Sequence, residues 1–89
     1  MIEEKIEIIN KLGLHARAAN KFVDTACQFS SSIEVEYNNN RVDGKSIMSV
    51  MLLAAAKGAT LTLYIDGKDE VSAKDAITQL INSFFDEEE

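Results

Sequence analysis

Proline and tryptophan are absent from this 89-residue chain, and cysteine and histidine occur once each. One cysteine excludes an intramolecular disulfide, and one Cys with one His excludes a zinc site of the usual four-ligand kind. Cys27, placed deep in the first helix with no second His to act as its base, reads as a small packed hydrophobe in a reducing compartment. Glycine is scarce, at four residues, and no Pro/Gly/Ser-rich stretch separates two domains. No apolar run approaches the roughly 20 residues of a membrane span, and the opening MIEEKIEIIN is not built like a signal peptide. Basic residues are in deficit: nine Lys and Arg against fifteen Asp and Glu leave a net charge of −6. That balance argues against non-specific nucleic-acid binding, which rests on phosphate neutralisation. The absences describe a cytosolic protein with no metal, no organic cofactor, no nucleic-acid partner and no membrane insertion.

What is present suffices for one ordinary core. Apolar residues make up 46% of the chain, and its length sits just above the range where disulfides or metals become necessary. A single domain over residues 1–89 follows, with 86–89 (Asp86 to Glu89) a solvated acidic tail. Ile2, Ile6 and Ile8 share parity and predict a half-buried strand. From Ala16 to about Phe29, apolar residues recur every three or four positions, as an amphipathic helix requires. Ile33, Val35 and Tyr37 alternate with Glu34 and Glu36. The Asn38-Asn39-Asn40 run turns the chain so that Arg41 to Asp43 pairs back. Ser46 is a good N-cap for a helix over Ile47 to Lys57, and Gly58 suits its C-terminal cap. Leu61, Leu63 and Ile65 predict a fourth strand. Ala73, Ala76, Ile77, Leu80, Ile81 and Phe84 form the stripe of a last helix. The order is β-α-β-β-α-β-α. Strands with one apolar parity need one face covered, so the fold class is α+β: a two-layer open-faced sandwich, its four-stranded antiparallel sheet covered on one face by three helices.

His15 falls where the first strand gives way to the first helix, in Gly13-Leu14-His15-Ala16-Arg17. At a helix start the leading amides lack partners and the dipole presents its positive end, a geometry that binds phosphate. That end also favours the neutral, nucleophilic imidazole. Arg17 adds a guanidinium suited to bidentate phosphate contact. The local charge agrees: from Asn10 to Val23 the bases Lys11, Arg17 and Lys21 stand with no acid, and from Gly44 to Ile65 only Lys45 and Lys57 are charged. Side by side, the two helix starts would form an electropositive patch. Gly44-Lys45-Ser46 is not a nucleotide-binding P-loop, because Asn39 stands where that motif needs glycine. A phosphate added to Ser46 would be favoured by the helix dipole and would reverse the patch's sign. The second helix is apolar nearly all round, with Met48 and Met51 suited to a surface that meets several partners.

Gly13-Leu14-His15-Ala16-Arg17, Lys45-Ser46-Ile47-Met48, and Gly67 followed by Asp69-Glu70 resemble the HPr family. These are the histidine-containing phosphocarriers of the bacterial phosphoenolpyruvate-dependent phosphotransferase system. The resemblance covers essentially the whole chain. It implies that His15 accepts a phosphoryl group on Nδ1 from phosphorylated enzyme I and passes it to enzyme IIA proteins, so that the chain is a covalent intermediate and not an enzyme. It implies that Arg17 and the backbone after His15, beginning with Ala16, steady the phosphate. Ser46 matches a serine that a kinase/phosphorylase modifies in some members. Ile47, Met48 and Met51 match an apolar docking patch, to which Asn20 and Leu52 are also assigned. Ala18 stands where the family commonly has Pro, and Ser49 where it often has Gly. The first change preserves the helix, and the second bears on partner choice. A monomer is expected, since one face must meet two partners in turn. The alternative is a regulatory binding module or nitrogen-branch carrier that reports metabolic state, for instance to a transcriptional regulator, without sugar transport.

Overall fold

The alternation of inward and outward side chains sets up the sheet. In the computed structural model, which describes residues 1–86, β1 is Ile2–Glu7, β2 Ser32–Tyr37, β3 Asn40–Asp43 and β4 Thr60–Asp66. Glu87, Glu88 and Glu89 of the expected acidic tail lie outside the described residues. Ile33, Val35, Leu61, Leu63 and Ile65 are buried on the inner face. Each such side chain withdrawn from water stabilises the fold by roughly 1.5–3 kcal/mol before conformational entropy is subtracted. All pairings are antiparallel, in the order β1-β4-β2-β3. β4, the last strand in sequence, lies between β1 and β2, aligning Ile6 with Leu61 and Val35 with Leu63. Asn38 and Asn39 both have positive φ, 54° and 67°, as a two-residue hairpin turn of the primed type requires. On the uncovered face the Arg41 guanidinium lies 3.6 Å from the Tyr64 ring centroid and 2.8 Å from Glu34. The Tyr64 hydroxyl donates to Glu36 at 2.5 Å, and that bond raises the phenol's pKa.

Three α-helices supply the cover: α1 Ala16–Ala26, α2 Ile47–Leu52 and α3 Glu70–Asn82. The expected fold class is the observed one, but each helix ends differently from its expectation. α1 stops at Ala26 and not near Phe29, and its C-cap Cys27 is exposed, so the expectation of a packed thiol is corrected. The helix is broken before the stripe reaches Cys27, and that removes the reason to bury it. α2 stops five residues short of Lys57. Ala54, with φ of 52°, takes the left-handed position after its C-cap, the role expected of Gly58. Backbone partners outside the helix draw the chain away: Ala55 O accepts the Leu14 amide, Ala59 O accepts that of Ile8, and Gly58 N donates to Ile8 O, each at 2.8 Å. After α3, residues Phe84–Asp86 form a short left-handed turn with φ of 59°, 53° and 63°. It buries Phe85 in place of the expected Phe84.

Candidate functional site

His15 is the N-cap of α1, with φ of −79° and ψ of −178°. Its carbonyl receives the Ala19 amide at 2.8 Å, closing the first turn. Its Nδ1 accepts the Arg17 amide at 3.2 Å, so one of the helix's orphan donors is satisfied by imidazole in place of the usual hydroxyl or carboxylate. A nitrogen that accepts a hydrogen bond presents its lone pair, so a neutral ring in this geometry carries its proton on Nε2. The ring is half-buried, and the first turn contains no acidic residue. Ala16 and Arg17 follow on the exposed side, while Ala18 and Ala19 are buried and seat the helix.

The loop before His15 is held tightly. Gly13 has φ of 67°, and a Cβ there would lie 2.7 Å from Ala55 O and 2.8 Å from Ala56 Cα. Only glycine permits both that dihedral and that approach. A second close approach positions Ser46. Gly44 donates to Ile33 O at 2.8 Å, and a Cβ on it would meet Ile33 Cγ2 at 2.9 Å and Phe22 Cε1 at 3.3 Å. The hairpin is thereby pressed against α1, and α2 starts beside it. Ser46 caps α2 through Oγ, which accepts the Ser49 amide at 3.4 Å, and is half-buried.

α1 and α2 are in contact, and two of the lysines counted toward a joint patch are engaged elsewhere. The Lys21 ammonium donates to Phe85 O at 2.8 Å and lies 3.9 Å from Asp86, and that of Lys45 donates to Phe29 O at 2.8 Å. The apolar half is fully present: Met48 is 72% and Leu52 80% exposed, with Ile47 and Met51 also on the surface. Asn20 is exposed on α1. Two residues escaped the sequence reading. Leu12 is 65% exposed in the loop before His15, and an apolar residue set between Lys11 and Gly13 was its only signal. Asn10 is wholly buried. Its parity with Ile6 and Ile8 would have placed it inward.

A family model described as "PTS HPr component phosphorylation site" matches residues 2–83. The chain is 58% identical to the phosphocarrier protein HPr of Neisseria meningitidis serogroup A over 89 residues, the whole of both chains. A crystal structure described as HPr-C-His from Thermoanaerobacter tengcongensis is similar at a TM-score of 0.95 and 49% identity, also over the whole of both. A crystal structure described as an HPr dimer from that organism is similar at a TM-score of 0.78 and 49% identity, covering 98% of this chain and 100% of that one.

Proposed function

This chain belongs to the HPr family of phosphotransferase-system phosphocarriers, and on that footing we propose that His15 carries the phosphoryl group. The ring takes phosphate on Nδ1 from phosphorylated enzyme I, whose phosphate derives from phosphoenolpyruvate, and yields it to enzyme IIA proteins. In the first transfer the Nδ1 lone pair forms the N–P bond while the bond from phosphorus to the donor breaks, the electron pair leaving with the donor. At enzyme IIA the same exchange runs with His15 as the leaving group. One observation carries this reading: Nδ1 already faces the Arg17 amide at 3.2 Å. A phosphoryl group on that atom is delivered to the end of α1 where backbone donors favour negative charge. The Ala16 and Arg17 amides and the Arg17 guanidinium hold its oxygens. A half-exposed ring keeps the adduct accessible to the next nucleophile, and excess stabilisation of the intermediate would slow the next step.

The exposed Ile47, Met48, Met51 and Leu52, with Asn20 on α1, form the face on which enzyme I and enzyme IIA dock in turn. The chain acts as a cytoplasmic monomer, which sedimentation checks against the dimer described for the Thermoanaerobacter tengcongensis protein. A second reading is favoured by the position of Ser46. Its hydroxyl begins the helix that bears this apolar face, so phosphorylation by a kinase/phosphorylase would set charge beside Ile47 and Met48 and turn partners away or recruit a transcriptional regulator. Incubation with enzyme I and labelled phosphoenolpyruvate tests the main reading. Acid-labile label is expected on the wild type and absent from His15→Ala, and equal labelling of the variant overturns it. Label that fails to chase onto any enzyme IIA favours the purely regulatory or nitrogen-branch role.

A further inference from the structure

We propose that Asn10 is a positioning residue for His15, a role that rests on the reading of His15 as phosphoryl acceptor. Asn10 continues the inward parity of Ile6 and Ile8 and is fully buried, so a third aliphatic side chain would have served the core at lower desolvation cost. The buried amide is instead aimed at the loop that leads into α1. Asn10 Nδ2 donates to Gly13 O at 2.8 Å, and Asn10 O accepts the Gly13 amide at 3.1 Å. One residue therefore grips the peptide groups on both sides of Gly13, which, having no Cβ, is the residue of the loop least restricted in its own dihedrals.

The second of those peptide groups is held from its other end as well. Its N–H, that of Leu14, donates to Ala55 O at 2.8 Å. The peptide plane immediately before Leu14 is thus pinned between the Asn10 side chain and the chain leaving α2, and Leu14 is itself buried. His15 is the next residue, and its extended backbone sets where Nδ1 meets the Arg17 amide. Without Nδ2 the Gly13 carbonyl would turn to find another donor, and the rotation would pass through Leu14 to the ring. A misplacement on the order of 1 Å in a reacting group is enough to cost about a hundredfold in rate, and partners that orient a reactive group typically matter by tenfold to a hundredfold.

The test uses Asn10→Ala, Asn10→Asp, which keeps the shape but cannot donate when ionised, and the core variant Val35→Ala as a stability control. Initial rates of labelling by enzyme I and phosphoenolpyruvate are compared with the ¹⁵N signals of the His15 ring and the Arg17 amide. We expect both Asn10 variants to label at least tenfold more slowly, with the ring signals moved toward mixed tautomers, while Val35→Ala leaves those signals in place. Slower labelling with ring signals unmoved would assign Asn10 to stability alone and overturn the positioning role. So would failure of both variants to fold at any temperature. If the wild type itself does not label, the reading of His15 fails and takes this inference with it. If the wild type labels and the variants match it in rate and signals, only the role of Asn10 fails.

Discussion

Asp69 is the N-cap residue of α3, yet its side chain makes no bond to that helix. Its carboxylate accepts the Ser31 hydroxyl and the Ser30 and Ser31 amides, the amides at 2.9 and 3.0 Å, and so ties the turn after α1 to the start of α3. The Ser31 hydroxyl, then the Ser30 amide, lower its pKa from 3.8 to about 2. A carboxyl depressed in the folded state stabilises above its unfolded pKa and loses that contribution as pH falls through the folded one. Asp69→Asn is therefore expected to be less stable than the parent at pH 7, and the gap should close between pH 3.8 and about 2. Urea midpoints across that range check it, and a gap independent of pH would contradict it. The place of His15 at the start of α1 was legible at this scale, because a lone His at a predicted helix start, followed by Arg, is a local pattern. The exposure of Cys27 was not, since it depends on which residue ends α1.

At the element scale, the residue that follows the C-cap of α2 is strained. Ala54 occupies a left-handed C′ position, φ 52°, where a side chain costs about 1 kcal/mol or more. Ala54→Gly should stabilise the protein by roughly 0.5–1 kcal/mol after the added entropy of the unfolded chain is set against it. Thermal melts should show a rise of a few degrees, and a fall would mean that the strain is absent. The turn after α3 tests the packing directly. Phe85→Ala should cost about 3–5 kcal/mol, the usual range for emptying a buried aromatic site, and Phe84→Ala much less. Chemical denaturation of the two variants separates the structure from the sequence stripe, which nominated Phe84. Helix existence was readable from period alone. Helix ends were not, because partners on distant segments set them, such as Leu14 for Ala55.

The molecule as a whole has two unlike sides. On the open face of the sheet the polar groups bond one another: Arg41 pairs with Glu34 and lies over Tyr64, whose hydroxyl donates to Glu36. The exposed apolar side chains gather instead on α2, which touches the helix begun by His15. Met48→Gln and Leu52→Gln remove little buried surface, so stability should change by no more than about 0.5 kcal/mol. Docking with enzyme I should nonetheless weaken, seen as a KM for labelling raised about tenfold with kcat nearly kept. A large loss of stability, or an unchanged KM, would count against this face as the docking surface.

From its residues alone the chain settled its element types, its layer arrangement, and the chemistry available at the start of α1. Those follow from period, capping preference and charge, all local quantities. Tertiary structure decided that Lys21 and Lys45 bond the backbone carbonyls of Phe85 and Phe29, where each helix stops, and that a buried Asn10 grips the loop before His15. Those depend on backbone groups far apart in sequence competing for the same hydrogen bonds, and no window of neighbouring residues contains that competition.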